Sequence, residues 1–425
     1  INEKNKNERA VEFYELMSNL RYTPSTPTLF NSGTTHSQLS SCYLNTFDDS
    51  IDGIFDGAWQ EARKSKYAGG LGLDVTPFRS VGSHINGTNG TSSGLVPWLK
   101  IFNDLLIAVN QGGKRPGAGC AYLEPWHLDY EEFLNLRKNT GDDRLRCHDM
   151  NTASWIPDLF MRRVQEDGDW YFFDPSECID LHDLFGDEFD KRYSIYCKRA
   201  EKGEVKSFRK IRAKDLWKKM LRTLFETSHP WNTFKDPCNI RYTNQHEGSV
   251  HSSNLCTEIT LHTKASSYIN GEKTEIGETA VCNLGSINVV NHVRETYTPE
   301  GELSARDINW TKLGKTIETA IRMLDNVIDI NLYPTKEASN SNLRHRPIGL
   351  GMMGIHDLLH IFDIPIDSEE SVEFNDKLFE FYSHRAILSS SKLSKERGAY
   401  KSFSGSLWDQ DILPLDSWNN LMEYR

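Results

Sequence analysis

The run Gly69-Gly70-Leu71-Gly72-Leu73-Asp74-Val75 sets glycines among strand-forming apolar residues. Glycine brings a strand no side chain to pack, so a strand that keeps several marks a place where its backbone lies close against another group. As a phosphate-binding loop the same run is weak evidence by itself. The segments around it read as connected elements. Thr26 to Asn45 is a turn-rich approach into a buried strand, and Asp48-Asp49-Ser50 supplies N-cap residues for a helix over 51–66. Residues 82–94, rich in glycine and small polar residues, predict a mobile loop, 95–110 a helix, and 111–119 a second flexible loop carrying Lys114 and Arg115. Helical spacing recurs over 9–22, where Pro24 is the stop, over 215–226, 313–330 and 364–398. Residues 247–293 alternate short apolar runs with polar turns. There is no internal repeat, and no linker composition marks a boundary. A chain of 425 residues therefore admits one large core or two moderate ones.

Charge narrows the function classes. Forty-nine basic against 60 acidic residues give a formal net charge of −11, which argues against a chain that coats nucleic acid and makes any nucleotide site local. No stretch of 18 apolar residues occurs, and the start, Ile1-Asn2-Glu3-Lys4, lacks the apolar core of a signal peptide. The expectation is a soluble cytoplasmic protein without membrane contact. Opening at Ile1 and closing at Arg425, the chain reads as an internal piece of something longer.

The eight cysteines (42, 120, 147, 178, 197, 238, 256 and 282) show no Cys-x-x-Cys and no zinc-module spacing, so no metal site is expected. Three draw attention. Ser252-Ser253-Asn254-Leu255-Cys256-Thr257-Glu258 sets an amide, a thiol and a carboxylate at alternating positions, which an extended loop would turn toward one small volume. A sulfur that exchanges hydrogen with a substrate benefits from a carboxylate for a neighbouring hydroxyl proton and an amide to orient it. Cys42 and Cys282 lie in similar apolar, small-residue contexts. Pattern alone leaves several readings open: ordinary buried thiols, a hydrolase partnered by His127, His251 or His262, or a dithiol redox pair. The two glycine-rich loops, with Arg79 and Arg115 beside or within them, suit contacts to phosphate or base.

Eight motifs in order then resemble one family. Gln-Leu-Ser-Ser-Cys at 38–42, Gly-Thr-Asn-Gly at 87–90, Lys-Arg-Pro-Gly-Ala at 114–118, Tyr-Leu-Glu-Pro-Trp-His at 122–127, Trp-Ile-Pro-Asp-Leu-Phe-Met at 155–161, Ser-Asn-Leu-Cys-Thr-Glu at 253–258, Ala-Val-Cys-Asn-Leu at 280–284 and Arg-His-Arg-Pro-Ile-Gly-Leu-Gly at 344–351 are similar to the large, catalytic subunit of class I ribonucleotide reductase. The resemblance implies an α/β fold: a ten-stranded α/β barrel of two antiparallel halves, each of five parallel strands, around a central finger loop and incomplete at its C-terminal end. Residues 1–425 would be a partial catalytic barrel domain, with effector-specificity elements within 48–120 and the finger loop and second redox cysteine within 247–293.

By the same resemblance Cys256 is the transient thiyl that removes the substrate's 3′ hydrogen, Glu258 takes the 3′-hydroxyl proton, and Asn254 binds the ribose hydroxyls. Cys42 and Cys282 are the reducing dithiol. Thr26, Ser41, Ala68, Gly69 and Leu255 join Asn254, Cys256 and Glu258 in touching substrate. Asp49, Ser50, Ile51 and Arg79 match an effector site between two subunits, and Gln111 and Arg115 a loop relaying effector identity to the substrate base. The family implies ribonucleoside diphosphates as substrates and deoxynucleotides or ATP as effectors, with no cofactor held in this chain. The radical comes from a metal-containing small subunit; thioredoxin or glutaredoxin and a second copy are the other partners, and nucleic acid is not one. Departures are visible too. An Asn usual before Lys-Arg-Pro is missing between Gly113 and Lys114, and the chain stops before the family's phosphate loop, tyrosine pair and carboxy-terminal cysteines. Competing readings are a cobalamin-dependent reductase of the same superfamily, a non-catalytic nucleotide-binding relative, and a split-gene fragment.

Overall fold

A computed structural model describes residues 3–110 and 116–424. The chain divides into two compact units, a larger one of Cys42–Val281, Tyr333–Asn342 and Ser402–Arg425 and a smaller one of Ile1–Ser41, Cys282–Leu332 and Leu343–Lys401. Both are built from helices and strands, so the α/β expectation stands.

The larger unit is organised on a six-stranded sheet of β1 (Cys42–Thr46), β2 (Gly70–Asp74), β3 (Gly119–Leu123), β4 (Asn151–Ile156), β5 (Trp231–Phe234) and β6 (Ala280–Cys282), in the order β5-β4-β3-β2-β1-β6. Strands β1 to β5 are mutually parallel. Parallel neighbours need crossovers, and helices Ile51–Lys66 and Leu95–Ala108 lie on the connections from β1 to β2 and from β2 to β3. Every residue of β2 and β3 is buried, the pattern of strands covered on both faces.

The two faces do different work. Tyr43, Leu71, Leu73, Ala121 and Leu123 point into the main core with Leu99, Phe102 and Leu106 of the second crossover helix. Alternate residues Cys120, Tyr122, Ala153 and Trp155 form a smaller cluster on the opposite face, against which Leu255 and Leu261 pack. Register sets Gly72 beside Cys120 and Gly70 beside Cys42, so the glycines of β2 belong to this second face.

In the smaller unit, Tyr22–Pro24 pairs antiparallel with Leu284–Asn288, which pairs parallel with Gly349–Met353. Helix Trp310–Ile330, capped by Asn309, buries Leu313, Ile317, Ile321 and Leu324. The first three of these share a core with Tyr22, Ile287 and Leu378, the last from helix Glu369–Arg397.

Two expectations need correction. The helix expected over 9–22 runs Lys6–Ser18; Leu20 takes a positive φ of 52° and Tyr22 enters the sheet instead. Residues 82–94, expected as a mobile loop, contain a hairpin of Val81–Ile85 and Gly90–Ser93. Buried Asp129 anchors its two ends, accepting the backbone N–H of Val81 at 3.1 Å and of Leu95 at 2.9 Å. Small polar residues are thus compatible with a ladder once their ends are tied. Among the described residues no helix is long and apolar enough to cross a membrane.

Candidate functional site

The segment His251 to Thr263 has no helix or strand, yet His251 to Asn254 are buried. Buried backbone must find partners, and here side chains provide them. Asn239 pairs with both backbone groups of Val250, accepting at 2.7 Å and donating at 3.0 Å. Tyr122 Oη donates to the Asn254 carbonyl at 2.6 Å. Within the loop, Ser253 Oγ donates to the Ile259 carbonyl at 2.6 Å, and Asn254 Oδ1 accepts from Ile259 N–H at 3.1 Å.

Gly72 explains how the loop reaches the sheet. A Cβ there would lie 3.0 Å from Asn254 Cα, with the Ser253 carbonyl oxygen nearer still, so the loop backbone occupies the space a side chain would fill. The glycine run of β2 therefore marks contact with the segment carrying Cys256.

The loop is not extended, which changes the expected geometry of its three polar residues. A turn at Leu255 and Cys256, followed by Thr257 at φ +70°, folds the tip back. Positive φ is unusual for a β-branched residue and carries strain of about 1–3 kcal/mol. Asn254 is consequently fully buried, while Cys256 and Glu258 are exposed. Asn254 Nδ2 is buried and has no hydrogen-bond partner among the described residues, a donor left over for another group.

Cys256 lies against Cys42. A hydrogen bond with Cys42, then partial burial and the charges of Cys42 and Glu258, hold the Cys256 thiol well above the ordinary thiol range. Such a sulfur keeps its hydrogen, which suits hydrogen-atom exchange and disfavours a thiolate nucleophile. The hydrolase reading also loses its histidines to other partners: His127 faces Phe78 O at 2.7 Å, His251 faces Asp183 at 2.8 Å and His262 faces Ser249 O at 2.7 Å. All eight cysteines are free thiols.

The other expected substrate residues fall in both units. In the larger one, Ala68 takes a left-handed φ of 69° just past helix Ile51–Lys66, donating to Ser65 O at 2.9 Å, and Gly69 donates to Lys64 O at 3.1 Å. Gly70, next in line, lies against Leu255 and Cys42, its would-be Cβ 3.2 Å from Leu255 Cδ2 and 3.5 Å from Cys42 Sγ. In the smaller unit, Ser41 N–H donates to the Cys282 carbonyl at 3.2 Å, and Ser25 N–H to Leu284 O at 3.0 Å immediately before Thr26. Cys282 is buried, and Ser41 Oγ is buried without a partner among the described residues.

The expected effector residues are drawn together in part. Arg79 Nε donates to Asp49 Oδ2 at 2.7 Å and its Nη2 to Asp49 O at 3.1 Å. Ser50 caps helix Ile51–Lys66 by accepting from Gly53 N–H at 3.0 Å, and Ile51 is exposed beside it. Gln111 and Arg115 lie outside the described residues.

Sequence reasoning missed a buried charged cluster at the foot of the loop. His182 lies between Asp74 (Nε2 to Oδ2, 2.8 Å) and Glu124 (Nδ1 to Oε1, 2.9 Å), and Lys235 Nζ meets Glu124 Oε1 at 2.9 Å. Against the burial that works the other way, the charges and hydrogen bonds of Asp74 and Glu124 push His182 up to about 10, while burial and then the His182 charge lower His251. Asp74, a carboxylate inside an apolar strand, was the available signal; His182 left none.

Residues 40–424 match the family model of the ribonucleotide reductase barrel domain, and residues 1–37 that of the ribonucleotide reductase all-alpha domain. The chain is 53% identical over 425 residues to the ribonucleoside-diphosphate reductase subunit alpha of Chlamydia muridarum, covering 100% of this chain and 39% of that protein. It is 43% identical over 417 residues to the ribonucleoside-diphosphate reductase large chain of Neurospora crassa (97% and 42% covered). With subunit alpha of Helicobacter pylori strain J99 it shares 42% over 464 aligned positions (99% and 56%). The chain thus spans between 39% and 56% of the length of these relatives.

Proposed function

The chain belongs to the ribonucleotide reductase family, and from that premise we propose that it carries the nucleotide-reducing centre of a large subunit acting on ribonucleoside diphosphates. The observation that carries the reading is Cys256: a thiol at the tip of a buried loop, kept protonated beside Cys42 and Glu258, with the unpartnered amide of Asn254 behind it.

In this reading a thiyl at Cys256 takes the 3′ hydrogen of the ribose, leaving a carbon radical. Glu258 accepts the 3′-hydroxyl proton, and Asn254 Nδ2 donates to a ribose hydroxyl. The 2′-hydroxyl leaves as water with a proton from the Cys42–Cys282 dithiol, which gives up two electrons and two protons in all and becomes a disulfide. Cys256 then returns hydrogen to the 3′ carbon and Glu258 its proton to the 3′ oxygen, so the net change is ribonucleotide plus dithiol to deoxyribonucleotide, water and disulfide. Thr26, Ser41, Ala68, Gly69 and Leu255 line the substrate. The positive φ at Ala68 supports that role, because backbone strain of this kind gathers at active sites and ligand clamps.

The five parallel strands β1 to β5 support one half of a ten-stranded barrel, with 247–293 as its finger loop and second redox cysteine. The 48–120 region is the deoxynucleotide or ATP effector site, with Asp49, Ser50, Ile51 and Arg79 as contacts and Gln111 and Arg115 on the relay loop. Exposed Ile51, Phe55 and Trp59, spaced four apart on one helix, support pairing with a second copy. The relatives' name, subunit alpha, supports a partner subunit, here a metal-containing radical source; a thioredoxin or glutaredoxin restores the dithiol in the cytoplasm. The test is Cys256→Ser in the assembled enzyme: deoxynucleotide formation is lost while effector binding persists. Retained reduction would refute the radical role, and cobalamin dependence would move the chain to the superfamily's cobalamin branch.

A further inference from the structure

We propose that His182 is a positioning residue: as an imidazolium held between Asp74 and Glu124, it fastens both ends of the loop that presents Asn254, Cys256 and Glu258. The inference rests on the reading of that loop as the catalytic finger.

Charge state follows from geometry. Both ring nitrogens of His182 face carboxylate oxygens, at 2.8 and 2.9 Å, and an ionised carboxylate only accepts; both nitrogens must donate. Glu124 also receives Lys235, so two carboxylates and two cations balance in a buried cluster. A buried charge that loses its partner is strongly destabilising, which makes the cluster all-or-none.

It reaches the loop directly at its entry and through Asp74 and Thr46 at its exit. His251, the entry residue, stacks on His182 with ring centroids 4.1 Å apart and an interplanar angle of 18°. Its Nε2 meets Asp183, its Nδ1 has no hydrogen-bond partner among the described residues, and the stack is closer than its other ring contact, His262 at 5.9 Å. At the exit, Thr46 Oγ1 donates to the same Asp74 Oδ2 that meets His182, at 2.8 Å, and lies 2.7 Å from Thr263 Oγ1. Residues 251 and 263 are thereby tied to one carboxylate–imidazolium pair.

The same atoms raise a metal alternative. Asp74, His182 and His251 offer ligand atoms within 4.8 Å of one another. Nearly parallel stacked rings, however, aim their in-plane lone pairs side by side rather than at one point, and His182 Nε2 holds its proton toward Asp74.

The experiment compares the wild-type enzyme with His182→Gln and with the charge-balanced pair Asp74→Asn/His182→Gln. Hydrogen exchange of peptides spanning 251–263 and iodoacetamide labelling of the exposed Cys256 read loop position without reference to turnover. His182→Gln is expected to speed exchange over 251–263 about tenfold or more while peptides from β3 and β4 hold, and the balanced pair, which leaves no unpaired charge but lacks both the ring and the carboxylate, to keep that local rise. Unchanged exchange in His182→Gln, a uniform rise across the sheet, or recovery of wild-type exchange in the balanced pair would each overturn the proposal. So would stoichiometric zinc in the wild type that His182→Gln loses. If the loop responds as expected but Cys256→Ser keeps full reductase activity, the positioning stands and only the functional reading fails.

Discussion

Replacing Gly72 by alanine adds one methyl group where the 251–263 loop touches the sheet. The new Cβ would sit 3.0 Å from both Asn254 Cα and the Ser253 carbonyl carbon, with the Ser253 oxygen nearer still. None of these is the movable end of a side chain. The loop must therefore retreat by about 1 Å, a displacement that costs about 10²-fold in rate when it separates reacting groups. Overpacking of this kind also destabilises by about 1–3 kcal/mol. Gly70→Ala is the matched control on the same strand face. Its Cβ would meet Leu255 Cδ2 at 3.2 Å and Cys42 Sγ at 3.5 Å, both side-chain atoms, the first free to rotate away. Steady-state reduction by the assembled enzyme, with thermal unfolding of each variant, separates the cases: Gly72→Ala loses most of its turnover and Gly70→Ala keeps most of it. Wild-type turnover and stability in Gly72→Ala would refute the claim that this glycine admits the loop.

Other outcomes follow from the same structure. Cys42→Ala removes the hydrogen bond that leads the upward shift of Cys256, so the Cys256 pKa falls, its thiolate fraction at pH 8 rises, and alkylation of Cys256 accelerates; an unchanged or slower rate contradicts that assignment. Trp59→Glu places a charge in the exposed Ile51, Phe55 and Trp59 stripe and should weaken self-association by about 2 kcal/mol in sedimentation experiments. His182 has its pKa raised from 6.5 to about 10 on folding, so its contribution is complete below pH 6.5 and is lost as pH climbs toward 10. Denaturant titrations across that window should show this decline in the wild type and a flatter profile in His182→Gln.

The parts legible in the sequence were those written locally. The Asp48-Asp49-Ser50 cap, helix Ile51–Lys66 and the apolar spacing of Trp310–Ile330 all depend on neighbours a few residues away, and all formed as read. The glycines of β2 were legible as a close approach, though not what approached. The loop tip was misread as extended because alternation constrains side-chain direction only while the backbone stays extended, and the turn at Leu255 and Cys256 breaks that condition. The hairpin at 81–93 was misread because Asp129, 48 residues from Val81, supplies its anchor. His182 was invisible for the same reason: its two carboxylates are 108 and 58 positions away in the chain.

The 251–263 segment is held from within by Ser253 and Asn254, which pair with the backbone of Ile259, and from without by Tyr122 on Asn254, Asn239 on the preceding Val250 and the space that Gly72 leaves for Ser253. Its shape is therefore shared between the loop and the scaffold. Grafting Ser253 to Glu258 onto another scaffold would carry over the chemistry-bearing letters without their conformation, whereas transplanting Tyr122, Asn239 and Gly72 along with the loop would bring its socket too.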